Sequence, residues 1–341
     1  MLKKDDLIQK IEDKKIHFYE LSNDNKTSIV VSPSLGGRII GAFVDDDNLL
    51  WVNPDIGNDW NAGGHRTWYA PEWGAKSIYA KGDEFTWSVP NIMDPGKYIV
   101  TNHDENELIE MKNEFSVRTT DNTKFSLEMT RRISLPEYDL FPEINSLSDK
   151  KLSVQFEHTL KNCGEKPIKS EISLWSIIQV KPPGKIFISL KNHNSDNLFS
   201  DNYYEKIPRD RITIEDSHAK IFVDGARRYK LGFPPDNVNG KIAYFSQFNE
   251  EVHYLILKTF EISDDGKYVD KPHGDKRQNG DAIQIYNHSE GGDMGFAELE
   301  AHAPAPYLDP GKEDSFKINI LFVTSSPKEI NHLKNKLFNV A

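Results

Sequence analysis

Near the C-terminal end the run M-G-F-A-E-L-E-A-H-A-P alternates, so Glu298, Glu300 and His302 share one strand face while Ala297, Leu299 and Ala301 share the other. If that face is concave, mutual repulsion and desolvation raise a carboxylate toward the range of a general base. If it is convex, the same three groups are merely solvated. A second concentration lies upstream. Five of the six tryptophans (Trp51, Trp60, Trp68, Trp73 and Trp87) fall between residues 51 and 87, with Tyr69 and Tyr79. Aromatic faces pack on the C–H faces of sugars while charged neighbours orient hydroxyls. The segment N-A-G-G-H-R-T-W-Y-A-P-E-W-G sets His65, Arg66 and Glu72 among those rings, which suits a carbohydrate pocket. The plainer account makes each tryptophan sandwich core, Gly63-Gly64 a bend, and Arg66 with Glu72 a buried ion pair.

His158 sits in S-V-Q-F-E-H-T-L-K-N, where Val154, Phe156, His158 and Leu160 point one way. A lone histidine on an apolar face is usually a satisfied core residue. Tyr254, Lys258 and His273 complete the candidates, although lysine on a strand and histidine in a polar loop are common surface features. Of these, Lys258 joins the expected substrate-binding residues.

Familiar signatures are missing. Gly36, Gly37 and Gly41 have the spacing G-G-x-x-x-G and lead into a strand, so a dinucleotide loop fails on context. The sequence has no phosphate loop, no H-E-x-x-H helix and no G-x-S-x-G elbow. Asp45, Asp46 and Asp47 read as a solvated hairpin tip rather than a calcium site. The single cysteine, Cys163, can form no internal disulfide and no thiolate zinc site. No metal and no cofactor are expected.

These residues need a scaffold, and short alternating stretches bounded by Gly, Pro, Asn and Asp predict many antiparallel strands. The expected strands are 27–31, 38–44, 49–52, 85–89, 97–101, 107–111, 115–119, 124–134, 152–161, 171–180, 186–190, 220–223, 241–246, 252–260, 281–287, 295–302 and 316–323. Their number and spacing predict an all-β fold, a large sandwich. A helix starts after Ser326, with Pro327 in its first turn, Glu329 three residues past the cap, and Ile330, Leu333 and Leu337 as its stripe. Another covers about 5–14, with Leu7, Ile8 and Ile11 on one side. Both are expected to be covers. Segments 191–218 and 263–280 read as long loops, often functional or mobile. No linker divides the chain, so residues 1–24 form an N-terminal helical extension and 25–341 one domain closed by the C-terminal helix.

The chain has 341 residues, 37% hydrophobic and 11% aromatic, enough for a sizeable core. Its 42 basic and 53 acidic residues leave a net charge of −11, which repels polyanions and anionic membranes. Neither nucleic acid nor membrane is an expected partner. The start, M-L-K-K-D-D, shows no secretory leader, and no 18-residue apolar run occurs, so the cytoplasm is the expected compartment.

Taken together the sequence resembles the galactose mutarotase-like superfamily, the antiparallel supersandwich that includes aldose 1-epimerases and some glycoside hydrolase and lyase domains. The resemblance covers most of the chain. It is carried by S-L-G-G-R-I-I-G-A-F before L-L-W-V-N-P, by G-G-H-R-T-W-Y-A-P-E, by H-T-L-K-N-C-G-E-K-P before L-W-S-I-I-Q-V, and by A-E-L-E-A-H-A-P-A-P-Y-L-D-P-G. It is nearest to uncharacterised members that share the G-G-x-R-x-W-x-A-P-E segment. The resemblance implies a sugar-hydroxyl contact for Arg66 and a general base at Glu300, in Leu299-Glu300-Ala301-His302. The epimerases' acid histidine has no counterpart in N-C-G-E-K-P-I-K-S-E-I-S-L-W-S, so His65, His158 or His302 would have to act in its place.

Three readings follow. In the first, an isomerase, Glu300 takes the anomeric hydroxyl proton and His65 protonates the ring oxygen, with Arg66, Trp68, Glu72, Glu298, His302 and Lys258 holding the sugar. In the second, Glu72 and Glu300 act as a carboxylate pair that cleaves a glycan. In the third, the chain is a non-catalytic sugar-binding module. The expected partner is a small sugar or glycan, and the oligomeric state is left open.

Overall fold

The strand Lys151–Asn162 shows how alternation builds this molecule: Leu152, Val154, Phe156, His158, Leu160 and Asn162 are buried, and their neighbours are half-exposed. One face meets the core and the other meets water. A computed structural model describes residues 2–340 except 25, 59, 80–86, 138, 143, 145–149 and 196. Among the described residues, the strands form two large antiparallel sheets and one two-stranded ribbon.

The nine-stranded sheet runs in the order Tyr19–Leu21, Thr27–Ser32, Arg38–Val44, His65–Ala70, Ser173–Val180, Ala297–His302, Ile283–Asn287, Tyr229–Phe233, with Asp47–Asn48 paired on Arg38–Val44. The ten-stranded sheet runs Ile212–Ile214, His218–Val223, Gly184–Leu190, Val238–Gln247, His253–Phe260, Glu313–Ser325, Lys151–Asn162, Lys124–Ser134, Leu108–Arg118, Ile99–Asp104. Their facing sides interdigitate in one core, with Ile39, Ile178 and Leu299 from the first and Phe156, Ile256 and Ile320 from the second. The expected all-β sandwich is what forms.

The helices cover the two outer faces. Helix Lys4–Asp13 presses Leu7 and Ile11 onto Val30, Ile40 and Phe43 of the nine-stranded sheet. Helix Pro327–Phe338 presses Ile330, Leu333 and Leu337 onto Phe187, Phe245, Leu255 and Leu257 of the other. Its start has the expected chemistry: Ser326 Oγ accepts from the Glu329 amide at 3.3 Å and donates to the Glu329 carboxylate at 3.1 Å. Among the described residues no helix is long and apolar enough to cross a membrane.

Several expectations are corrected. Residues 107–111 and 115–119 are one strand, Leu108–Arg118, because Asn113 continues its buried face. His65–Ala70 and Tyr229–Phe233 are strands that were not expected, both buried along their whole length. The first 24 residues are not only helix, since Tyr19–Leu21 pairs with Ile29–Val31. At 85–89, residues 85 and 86 lie outside the described residues, and 88 and 89 are not in a strand.

The cap and the apolar stripe of the C-terminal helix make separable contributions. Ser326→Ala is expected to lower unfolding free energy by about 1 kcal/mol, and Leu333→Ala by about 3 kcal/mol through the cavity it leaves, both read from urea denaturation.

Candidate functional site

Three neighbouring strands, His65–Ala70, Ser173–Val180 and Ala297–His302, are buried on both faces, yet only the inward face is mainly apolar. The outward face, turned away from the ten-stranded sheet, is charged and aromatic. Registers align it: Trp68 lies opposite Trp175 and Trp175 opposite His302, while Arg66 lies opposite Ile177 and Ile177 opposite Glu300. Glu298 lies opposite both Gln179 and Tyr286, and Gln284 lies opposite Glu300. Lys230 enters from Tyr229–Phe233, opposite Tyr286. Gly63 and Gly64 set where the first strand begins. Both have positive φ, and a Cβ on Gly64 would sit 2.0 Å from the Ile39 carbonyl oxygen.

Loops roof this face. Glu72 and Asp270 reach in from segments 71–79 and 263–281, and Tyr203 and Tyr204 from the long loop after Leu190. Arg66, Trp68, Glu72, Lys230, Glu298, Glu300 and His302 are each no more than 6% exposed. Lys230 Nζ is the centre of the arrangement, 3.1 Å from Glu72 Oε2 and 3.1 Å from Glu300 Oε2 and 4.6 Å from the Trp175 ring centroid. Trp175 Nε1 donates to the same Glu300 oxygen at 2.8 Å. Arg66 donates to Glu298 at 2.8 Å and to Asn61 at 3.0 Å, with its guanidinium 4.1 Å from the Trp68 ring centroid. Trp68 Nε1 donates to Asp94 at 2.6 Å, and Asp94 also holds Arg38.

Four carboxylates (Glu72, Asp270, Glu298 and Glu300) thus share a buried chamber with two cations, Arg66 and Lys230. Burial, reinforced by Glu298 and Glu72, pushes the Glu300 carboxyl up to about 8 against the pull of Lys230. Burial and Glu72 push Asp270 up to about 6, although Lys230 opposes this too. Burial, then the charges of Lys230 and Lys258, hold His302 well below its ordinary value, so its ring is neutral. That ring stacks on Trp175 at 5.3 Å between centroids. Among the described residues, Glu300 Oε1, Gln179 Oε1, Gln284 Oε1 and both His302 nitrogens have no hydrogen-bond partner. Buried acceptors in that state call for a ligand or water that donates. Among the described residues no His, Cys, Asp and Glu cluster fits a metal ion, and Lys230 fills the place a cation would take between Glu72 and Glu300.

The structure therefore brings together Arg66, Trp68, Glu72, Glu298, Glu300 and His302. It separates His65 and Lys258 from them. His65 follows Arg66's opposite alternation and points between the sheets, its ring 4.2 Å from Phe156, hydrogen-bonded to Ser176 at 2.8 Å and to Arg131 at 3.1 Å. Adjacent residues on a strand cannot share a face, so His65 does not reach the Glu300 chamber. Lys258 belongs to the other sheet, and its Nζ donates to the carbonyls of Ser176 and Leu299 beneath the chamber floor. Burial drives its pKa well down. His158 is core, as its spacing predicts, with Thr67 as a partner at 3.1 Å.

Lys230, Trp175, Asp270 and Gln284 were not singled out from sequence. The one signal for Lys230 is a lone charge among alternating apolar residues in Y-K-L-G-F. Asp270 lies in the loop already marked as functional or mobile.

The raised Glu300 pKa fixes the sign of a stability effect. The unfolded chain releases this proton near the ordinary 4.5, the folded chain near 8. The contribution is full below pH 4.5 and is lost as pH rises through about 8. Wild-type thermal midpoints should fall relative to Glu300→Gln across that window, measured by calorimetry at matched ionic strength. A constant difference would mean that Glu300 is ionised in the folded protein throughout.

Comparison with known proteins places the chain among others of this shape. The model of a family of unknown function, DUF6786, matches residues 5–341. No curated protein sequence matches. An Escherichia coli K12 protein provisionally described as an aldose 1-epimerase is 12% identical with a TM-score of 0.57, over 91% of this chain and 99% of that one. A galactose mutarotase-like protein from Lactobacillus casei ATCC 334 is 10% identical with a TM-score of 0.54, over 90% and 100%. The Slr1438 protein from Synechocystis sp. PCC 6803 is 12% identical with a TM-score of 0.55, over 91% and 96%. At such identities the likeness speaks for the fold, which is the galactose mutarotase-like supersandwich.

Proposed function

We propose that this chain, which belongs to the DUF6786 family of unknown function, binds a free sugar on the outer face of its nine-stranded sheet and moves protons at the anomeric centre, as an aldose 1-epimerase does. One observation carries the reading. Glu300 Oε1 and both nitrogens of His302 lie unpartnered, two residues apart on the same buried strand face. That spacing is about 6.6 Å along the strand, and in this reading one group meets the ring oxygen of the sugar and the other its anomeric hydroxyl once the roof has opened. The open acceptors on Gln179 and Gln284 suit sugar hydroxyls, and Trp68 and Trp175 hold Arg66, Lys230 and His302 in place around them.

The resting protonation states decide the roles, and they reverse the sequence expectation. Near pH 7 a carboxyl titrating at about 8 is mostly protonated, while His302 is neutral. Glu300 then gives its proton to the ring oxygen as the C1–O5 bond breaks, and His302 takes the proton of the anomeric hydroxyl. The open-chain aldehyde rotates about C1–C2, and as the ring closes on the other face the Glu300 carboxylate takes the proton back from O5 while the protonated His302 returns its proton to O1. Lys230 and the Trp175 N–H stay on Glu300 Oε2 and stabilise the carboxylate left behind. Arg66, held by Glu298 and Asn61, orients a hydroxyl. Entry requires the roof segments 200–205 and 268–281 to move.

Glycan cleavage by Glu72 and Glu300 is less well supported, since both Glu72 oxygens are engaged, one by Lys230 and one by Tyr204 at 3.3 Å. The missing family histidine favours the binding-module reading instead, in which the chamber holds a sugar without turnover.

Saturation-transfer NMR on free aldoses tests these together. Anomer exchange above buffer is expected, falling as pH rises through about 8 while Glu300 loses its proton. Glu300→Gln and His302→Gln should each lower it by roughly 100-fold or more. Saturable binding with no exchange would leave a sugar-binding module, and no binding by any sugar would sink the reading.

A further inference from the structure

The outer face of the ten-stranded sheet, on the far side of the sandwich from the chamber, carries an unrelated cavity of about 710 Å³ beside the C-terminal helix. Its floor is a checkerboard. Lys185 lies opposite Phe222 and Phe187 opposite Lys220 on neighbouring strands, so ammonium groups alternate with rings on one face. Lys334 overhangs it from helix Pro327–Phe338, with Ile330 one turn earlier.

Three lysines converge there in a protein of net charge −11. Among the described residues none of them has an ion-pair partner, and Lys334 bonds the Asn331 side-chain oxygen at 2.8 Å. The carboxylates on the rim are Glu215 and Asp216, and Asp216 faces His193 at 3.5 Å. His218, stacked on Phe187 at 5.1 Å, borders one end. Burial, then the charges of Lys185 and Lys220, push the Lys334 ammonium down, the direction that like-charge crowding produces. Ammonium groups crowded without ion-pair partners at a cavity part-lined by rings make a site of positive potential, and lysine is a common phosphate partner as a point charge.

We infer that this cavity binds a small organic phosphate, its phosphoryl oxygens on Lys185, Lys220 and Lys334 and its apolar body against Phe222 and Ile330. The site is separate from the Glu300 chamber and requires nothing of the proton chemistry there.

The test titrates the full chain with phenyl phosphate, followed by calorimetry and by NMR shifts. Saturable binding of one equivalent is expected, weakening as salt rises, with Lys185→Gln and Lys334→Gln each reducing affinity about tenfold and Glu300→Gln leaving it unchanged. Phenol should bind at least tenfold more weakly. The thermal midpoints of the free lysine variants should hold or rise, because each substitution relieves repulsion, so lost affinity cannot be put down to misfolding. The inference is overturned by an absence of saturable binding, by equal affinity for phenol, or by binding that Glu300→Gln abolishes and the lysine variants leave intact.

Discussion

The ammonium of Lys230 ties the roof of this protein's chamber to its floor. It touches Glu72 on a covering loop and Glu300 at the middle of the nine-stranded sheet, and nothing else positive lies between those two carboxylates among the described residues. Isolated buried charges are far too costly to persist, so the chamber exists in its closed form because this one cation is shared. The sharing is incomplete. Burial first, and then the crowding of four carboxylates around two cations, keep protons on Glu300 and Asp270 to higher pH than carboxyls normally allow, against the pull of Lys230. A proton-holding carboxyl with one oxygen unused is a consequence of that burial, and it is the acid the proposed chemistry draws on.

The same sheet separates two polar layers with opposite characters. Beneath it, between the sheets, His65, His158, Arg131 and Lys258 form a buried basic layer whose hydrogen bonds go mainly to hydroxyls, backbone carbonyls and one another. Above it lie the carboxylates. Lys258 and Glu300 sense each other across a single sheet thickness without touching, which pulls the lysine's pKa up slightly against the dominant effect of burial. The lower layer is structural, since it is closed on both sides by packed strands. The upper layer is closed by loops on one side, and loops can move.

How much of this could be read from the sequence follows from where each element is exposed. Strands with one wet face, such as Lys124–Ser134 and Lys151–Asn162, alternate plainly and were legible. So was the C-terminal helix, whose cap and stripe are local chemistry. His65–Ala70 and Tyr229–Phe233 are short and carry polar residues on a covered face, so polarity did not mark them as core strands, and Lys230 went unnoticed with its strand. The placing of Glu298, Glu300 and His302 on one face needed only the two-residue period. Applied to G-G-H-R, the same period already set His65 and Arg66 on opposite faces, although the resemblance to epimerases drew them toward a single site.

The sequence by itself determined which residues alternate, which segments turn, where the last helix begins and the excess of negative charge, because all of these depend on neighbours within a few positions. Only the tertiary structure decided that the charged face of Ala297–His302 is roofed and buried, that Lys230 and Asp270 meet it from strands and loops distant in sequence, and that lysines of the opposite sheet and its covering helix converge. Desolvation and Coulomb energy depend on distances through space, and those are set only when the two sheets have packed.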